Sequence, residues 1–270
     1  VLKTEPTNHV TNFAGVLGTP SYYSIILNWI DASGGTTPDG YLIKGSSFNY
    51  DSIKVPIDGI TENNSLFVQN VAQGIQTKSF GLNSATTYYF KIFPYTNTGN
   101  SINYKIDGTV PQYTIATNSA PSLPLTENFE YVTGTFLTDN GWLAHSGAGS
   151  NPIPVNDTPL SYSGYVNSGL GKSVTMTTSG EDDNRAFNQV TSGSIYGSFM
   201  VNITSAQTAG DYLFHFGPEN TTSLYYAKVF VKKNAGDSLA FGVSKNVTGS
   251  VIYTPFNYAL NTTYLIAVKY

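Results

Sequence analysis

The sequence predicts an all-β protein made of two sandwich-type domains in series. No window of a dozen residues keeps a 3.6-residue apolar period free of Gly, Pro and β-branched clusters, so helices are not expected. Short runs of alternating apolar residues between turn residues recur along the chain, which is typical of strands. The stretch NSAPSLPLT favours an extended, semi-rigid linker. We therefore expect domains at residues 1–118 and 127–270, joined by a linker at 119–126.

The first domain shows enough strand-type segments for a seven-strand sandwich. In the segment TYYFKIFP, the residues Tyr88, Phe90 and Ile92 are spaced by two, which places them on one face of a strand. Asp39-Gly40 is a turn signal. The clearest strands are Ser24–Asp31, Gly40–Ser46, Ile75–Leu82, Tyr88–Tyr95 and Gln112–Thr117.

This part of the chain resembles a known family. The pattern L-x-x-x-T-x-Y-x-F-x-I-x-P-x-x-N-x-x-G, which begins at Leu82, resembles the E–F corner and strand F of a fibronectin type III domain. The resemblance makes Tyr88 the tyrosine-corner residue, whose hydroxyl binds backbone a few residues upstream. It also implies that Trp29 is the core tryptophan of strand B. Leu82, Tyr88 and Trp29 are thus expected to be structural.

The second domain is also expected to consist of strands. The segment NAGD at 234–237 is a hairpin turn between two of them. Strict alternation in the segment YLFHF places Tyr212, Phe214 and Phe216 on one face, and Leu213 and His215 on the other. The clearest strands are Ser194–Ile203, Tyr212–Phe216, Leu224–Lys233, Ser238–Ser244 and Tyr264–Tyr270.

Two segments of the second domain resemble a second family. ALNTTYLIAVKY resembles the late strand of concanavalin- and laminin-G-like jelly rolls. ENFEYVTGTFLTDNGWLAHSGAGSNPI resembles the opening of jelly-roll modules in large exported proteins of Bacteroidetes-type bacteria, which use type IX secretion. The resemblance implies an extracellular or cell-surface location. Such folds usually continue with another strand, so we expect either residues beyond 270 or a strand donated by another chain, which would allow self-association.

Composition limits the function classes. Charged residues make up 11% of the chain, against about 25% in average soluble proteins. The net charge is -4 and no basic stripe is present, which argues against nucleic-acid binding. The chain has no cysteine, which excludes disulfides, thiol catalysis and Cys-type zinc sites. No apolar run approaches the ~20 residues needed to span a bilayer, so membrane insertion is not expected.

One acidic run has two interpretations. Glu181, Asp182 and Asp183 bring several oxygen ligands together, as a calcium site requires. The jelly-roll resemblance adds that structural calcium is common in such modules. The alternative is an ordinary turn near Arg185, the sole arginine, which we expect to form a bidentate pair with an acid. The sequence favours the turn, because adjacent residues on a strand point apart.

Other titratable residues do not form a recognisable reaction centre. Glu127 and Glu130 are three apart, so on a strand they face opposite sides and cannot act as a glycosidase pair. His9, His145 and His215 show no zinc-type spacing. We expect His145 to make hydrogen bonds in a Gly/Ser loop and His215 to occupy a satisfied position in a sheet. The sequence therefore predicts no catalytic residue and no cofactor, with structural calcium as the alternative.

Aromatic residues provide the better functional hypothesis. Flat rings stack on sugars, and Trp142, Tyr225 and Tyr226 are the candidate ligand-binding residues. Core packing is the competing interpretation for Trp142. Because Tyr225 and Tyr226 are adjacent, one ring points inward and the other outward on a strand.

Together these features favour a non-catalytic pair of extracellular modules. They would act as a spacer and as an adhesion or glycan-binding part of a secreted or cell-surface multidomain protein. The expected partner is a glycan or a cell-surface protein. One alternative is a pair of accessory domains of a secreted hydrolase or nuclease whose catalytic domain lies elsewhere. Another is a structural subunit of an extracellular fibre or surface layer.

Overall fold

The computed structural model describes residues 2–218, 224–246 and 249–270. Within these residues strands predominate, and the helical segments are two short 3-10 turns, Gly99–Ser101 and Leu137–Asn140. The all-β prediction is confirmed. None of these helical segments is long and apolar enough to cross a bilayer. Backbone contacts divide the chain into two compact units, Val1–Ala120 and Pro121–Tyr270.

The first unit consists of two antiparallel sheets. Its strands are β1 (Thr11–Leu17), β2 (Ser24–Ile30), β3 (Gly40–Ser46), β4 (Val68–Ala72), β5 (Thr77–Gly81), β6 (Thr87–Thr96), β7 (Asn103–Tyr104) and β8 (Gln112–Ala116). One sheet has the order β1-β2-β5. The other has the order β4-β3-β6-β7, and β8 also pairs with β6.

The core of the first unit lies between these sheets. Alternate residues of β2 and of the first part of β6 are buried in one apolar cluster: Ile25, Leu27 and Trp29 from β2, and Tyr88, Phe90 and Ile92 from β6. A period of two that buries one face of each sheet is the pattern of a β-sandwich. The alternation that predicted β6 is therefore the alternation that builds the core.

The second unit contains shorter and more irregular strands. They are β9 (Leu143–Ser146), β10 (Val155–Asn156), β11 (Ser173–Val174), β12 (Asp182–Asn184), β13 (Tyr196–Asn202), β14 (Asp211–Phe216), β15 (Tyr226–Lys233), β16 (Leu239–Ser244), β17 (Ile252–Tyr253) and β18 (Thr263–Lys269). A four-stranded sheet has the order β14-β15-β16-β17. The strands β13 and β18 form a second sheet, β9 pairs with β12, and β10 pairs with β11.

The two larger sheets of the second unit pack against each other. Val201 of β13 and Phe241 of β16 share a cluster with Ile266 of β18. Val229 of β15 and Val268 of β18 share a neighbouring cluster. A smaller apolar cluster is formed by Leu137, Ile153 and Val155, and Trp142 packs against it.

The strict alternation predicted for β14 is wrong. The pairing of β14 with β15 shifts register between Tyr212 and Phe214, and again between Phe214 and Phe216. Leu213 consequently packs in the core with Phe214 and Phe216, whereas the ring of Tyr212 lies 5.9 Å from that of His215. Bulges add a residue to one strand and redirect the side chains around it.

Candidate functional site

The predicted structural residues of the first unit lie in its core. Trp29 is 3% exposed and packs edge-on against Tyr41, with ring centroids 5.7 Å apart. Leu82 is also buried. The hydroxyl of Tyr88 accepts a hydrogen bond from the backbone N–H of Asn83, five residues upstream, at 2.9 Å. These side chains hold the scaffold and present no surface to a ligand.

The second unit contains the same local arrangement at Tyr264. Its hydroxyl accepts a hydrogen bond from the backbone N–H of Ala259 at 2.7 Å and donates one to the Ala259 carbonyl at 3.2 Å. The separation is again five residues. The turn before β18 is thus tied to that strand as the turn before β6 is tied in the first unit.

Arg185 belongs to a polar network at the start of the second unit. Its Nη1 donates hydrogen bonds to the carboxylate of Glu127 and, at 3.2 Å, to the hydroxyl of Tyr131. Tyr131 in turn donates to Glu127 Oε2 at 2.7 Å, and the backbone N–H of Phe129 donates to Oε1 at 2.7 Å. Trp142 stacks on Phe129, with ring centroids 6.0 Å apart. The Arg185 guanidinium therefore belongs to this polar network, and the Trp142 indole packs in the adjoining apolar cluster.

The acidic run does not converge on one point. Glu181 is 7% exposed, and its Oε2 accepts a hydrogen bond from the backbone N–H of Gly149 at 2.8 Å. Asp182 turns the other way and accepts a hydrogen bond from Tyr212 at 2.8 Å. No group of three or more His, Cys, Asp or Glu residues in the described ranges is arranged to hold a metal ion.

Asp183 is the least favourably placed member of this run. Both carboxylate oxygens are buried, and neither has a hydrogen-bond partner within the described residues. Burial raises the pKa of Asp183 to about 6, with further contributions from the negative charges of Glu181 and Asp182. This carboxyl group consequently takes up a proton at only mildly acidic pH.

Five residues form what we call the imidazole–tyrosine cluster: His145, Asp182, Tyr212, His215 and Tyr225. The rings of His215 and Tyr225 are stacked, with centroids 4.1 Å apart and an interplanar angle of 23°. His145 meets both edge-on, at 5.4 Å from His215 and 5.8 Å from Tyr225. Asp182 joins through its hydrogen bond to the Tyr212 hydroxyl. The cluster combines four aromatic rings, two imidazoles and two phenols, with one carboxylate.

Strand pairing explains how distant residues meet in this cluster. β9 and β12 pair with a register shift between Asp182 and Asp183, where Ser146 and Ala144 are the opposing residues. His145 lies at this irregularity. The Asp182 carboxylate then binds Tyr212, which brings β12 against β14. The prediction that His145 lies in a loop is wrong, because it is part of β9.

The electrostatics of the cluster favour neutral imidazoles. Burial lowers the pKa of His145 below its usual value, and the negative charge of Asp182 only partly opposes this. Burial likewise lowers the pKa of His215. The pKa of Tyr212 is raised, first by burial and then by its bond to Asp182. At neutral pH the cluster therefore offers uncharged donors and acceptors beside one carboxylate.

His145 has unused hydrogen-bonding capacity. Both of its ring nitrogens are buried, and within the described residues neither makes a hydrogen bond of normal geometry, although the Asn184 side chain lies near enough to act on the pKa of His145. The predicted loop hydrogen bonding of His145 is therefore not observed. A neutral imidazole carries one N–H donor and one acceptor nitrogen, so a bound polar group could satisfy either.

The adjacent residues Tyr225 and Tyr226 diverge. Tyr225 joins the imidazole–tyrosine cluster, whereas Tyr226 packs near Tyr270 with ring centroids 5.5 Å apart. Of the three ligand-binding candidates from the sequence, only Tyr225 lies in the cluster. His145, Tyr212 and His215 were not predicted as site residues, because no sequence motif links them.

Comparisons with known proteins assign no family. No protein-family model matches the chain, and no curated protein matches it.

Proposed function

We propose that the chain is a non-catalytic pair of extracellular modules that binds a glycan through the imidazole–tyrosine cluster. The first unit serves as a fibronectin type III-like spacer, and the second as a concanavalin- or laminin-G-like jelly roll. The facing sheets β1-β2-β5 and β4-β3-β6-β8 support the first assignment. The packed sheets β13-β18 and β14-β15-β16-β17 support the second. An exported multidomain bacterial protein of the type IX secretion class is the proposed context.

The observation that carries the proposal is the convergence of aromatic rings with the polar nitrogens of His145. Sugars present C–H faces that pack on aromatic rings, and hydroxyls that both donate and accept hydrogen bonds. His215 and Tyr225 supply the aromatic rings, and His145 supplies ring nitrogens that make no hydrogen bond of normal geometry within the described residues. Asp182 adds a carboxylate acceptor next to them. A neutral polyhydroxylated ligand fits this chemistry better than a charged one.

A glycan array followed by calorimetry tests the proposal on the 270-residue chain. We expect binding to a subset of sugars, and loss of affinity by about tenfold in the Tyr225→Ala variant. Tyr162→Ala is the matched control, since Tyr162 is 40% exposed in the same unit and lies outside the cluster. Equal affinity of the wild type and Tyr225→Ala would disprove binding at this cluster. The absence of signal across all sugars would leave the spacer role.

The pH dependence provides an independent test of the same site. Because burial lowers the pKa of both His145 and His215, the imidazoles stay neutral through the physiological range. Sugar affinity should therefore be constant above the usual histidine pKa of about 6.5 and fall only under more acidic conditions. A steep change in affinity around neutral pH would contradict this account.

A further inference from the structure

The outer edge of β18 presents unpaired backbone groups. Ile195 and Tyr270 exchange two backbone hydrogen bonds, each 3.0 Å long, so they form a hydrogen-bonded pair of the β13–β18 ladder. Such pairs alternate with pairs whose N–H and C=O groups point away from the partner strand. From the register, the outward-pointing residues of β18 are Thr263, Leu265, Ala267 and Lys269.

These outward groups have no backbone partner in the described ranges. β18 pairs with β13 alone, and the backbone hydrogen bonds outside the sheets involve none of the four residues. On the opposite edge of this sheet, which is the outer edge of β13, the Ser198 carbonyl accepts a hydrogen bond from the Tyr165 hydroxyl at 3.3 Å. Ser198 is the register partner of Ala267, and its carbonyl points outward as the alternation requires. An open edge of this kind is a template for another strand.

The facing sheet is uncovered beside this edge. Val229, Val243 and Ile252 are successive cross-strand partners on β15, β16 and β17, so they share one face. Val229 is 4% exposed within the core, but Val243 is 44% and Ile252 is 75% exposed. The core-facing surface of the four-stranded sheet therefore continues past the area that β18 covers. A strand about 4.8 Å beyond β18 would lie over this apolar surface.

A surface groove joins the two features and carries positive charge. Val243 and Ile252 line it together with Lys269 and Tyr270. Lys245 also lines the groove, and no carboxylate does so among the described residues. Neither Lys245 nor Lys269 forms an ion pair in the described part of the chain. An occupant with a negative charge next to its apolar residues would complement this groove.

We propose that β18 binds an extended strand of a partner polypeptide, with alternating apolar side chains and flanking carboxylates. Its backbone pairs with Leu265, Ala267 and Lys269, its apolar side chains cover Val243 and Ile252, and its carboxylates meet the two lysines. A second copy of β18 fits less well, since its sequence TYLIAVK brings another lysine and no acid. This interaction surface is separate from the imidazole–tyrosine cluster and does not depend on glycan binding.

A labelled peptide tests the proposal by fluorescence anisotropy. The probe alternates valine with threonine and carries a glutamate at each end. We expect saturable binding, and affinity weaker by about tenfold when lysines replace the glutamates. N-methylation of alternate peptide nitrogens, which removes only the pairing N–H groups, should abolish binding. This measurement uses the wild-type protein and does not depend on any variant folding.

Proline substitution tests the edge itself. Ala267→Pro removes an N–H that points away from β13, so the β13–β18 ladder should survive, as proline is tolerated at edge positions. Peptide affinity should fall by about tenfold or more. Ser198→Pro is the matched control, because it removes an outward N–H from the opposite edge of the same sheet and should leave affinity unchanged. Circular dichroism checks that both variants remain folded.

Three results would overturn the proposal. The first is no binding of the acidic peptide, and the second is binding that is insensitive to N-methylation and to Ala267→Pro. The third is a concentration-dependent dimer in analytical ultracentrifugation that Ala267→Pro abolishes. That outcome would show that a second copy, and not an acidic partner strand, occupies the edge.

Discussion

Removal of the Tyr88 hydroxyl should measurably destabilise the first unit. Tyr88 is 2% exposed, and Tyr88→Phe keeps the buried ring while deleting a single oxygen atom. The hydroxyl accepts a hydrogen bond from the Asn83 N–H at 2.9 Å and makes a longer contact of 3.4 Å with the Asn83 carbonyl. Loss of one part-buried hydrogen bond, with little change in packing, should cost about 1–2 kcal/mol of unfolding free energy.

Tryptophan fluorescence can isolate this effect. The chain has two tryptophans, Trp29 in the first unit and Trp142 in the second. In a Trp142→Phe background, emission reports only the surroundings of Trp29, which is buried in the same cluster as Tyr88. With a typical urea dependence for a domain of this size, Tyr88→Phe should lower the unfolding midpoint by about 0.5–1 M urea.

Tyr113→Phe is the control for this experiment. Tyr113 lies on β8 and is only partly buried, and its hydroxyl has no hydrogen bond within the described residues. This substitution should change the unfolding free energy by less than about 0.5 kcal/mol. If Tyr88→Phe shifted the midpoint no more than Tyr113→Phe, the bond to Asn83 would not stabilise the turn before β6.

Three further substitutions test the second unit. Burial raises the folded-state pKa of Asp183 to about 6, above the unfolded value of about 3.9. The folded state therefore binds this proton more tightly than the unfolded state does. The free energy of unfolding is consequently highest below pH ~4 and falls as the pH rises to about 6. The melting temperature of Asp183→Asn should therefore rise relative to that of the wild type between about pH 4 and 6 in scanning fluorimetry. Arg185→Met leaves Glu127, whose side chain is 16% exposed, without its guanidinium partner, and urea unfolding should show a loss of about 1–3 kcal/mol. A Cβ at Gly171 would clash with the backbone carbonyl oxygen of Asn128, so Gly171→Ala should lower the free energy of unfolding by about 2–4 kcal/mol in the same assay. Gly169→Ala is the control, because the nearest atom to its Cβ would be 4.0 Å away, and it should cost about 1 kcal/mol.

The sequence predicts most clearly those strands in which alternate residues are apolar and buried, such as β2 and β6. β6 was predictable because Tyr88, Phe90 and Ile92 keep a period of two without interruption. β1 was not, since its pairing with β2 shifts register between Thr11 and Ala14 and leaves most of the strand half-exposed. β14 was located correctly, but its two bulges reassign its faces. A bulge depends on the partner strand, so the alternation within one strand does not reveal it.

The imidazole–tyrosine cluster is harder to predict from the sequence than the strands are. His145 and His215 are distant in the chain, and they meet because β12 pairs with β9 while Asp182 binds Tyr212 of β14. Periodicity indicates which residues share a face, but it does not indicate which two faces of the fold will meet. The aromatic hypothesis names Tyr225 as a ligand-binding residue, which stays a prediction, and it does not identify the imidazoles that contact Tyr225 in the structure.

Unsatisfied buried polar groups give a physical reason to expect function in the second unit. Among the described residues, buried side-chain nitrogen or oxygen atoms without a hydrogen bond of normal geometry occur at His9, Trp29 and Asp31 in the first unit and at Trp142, His145, Glu181 and Asp183 in the second. The four in the second unit all lie on or beside β9 and β12. Burying a polar atom without a partner costs free energy, so such atoms are rare unless water, an ion or a ligand satisfies them. Their position beside the imidazole–tyrosine cluster supports the proposal that a ligand binds there.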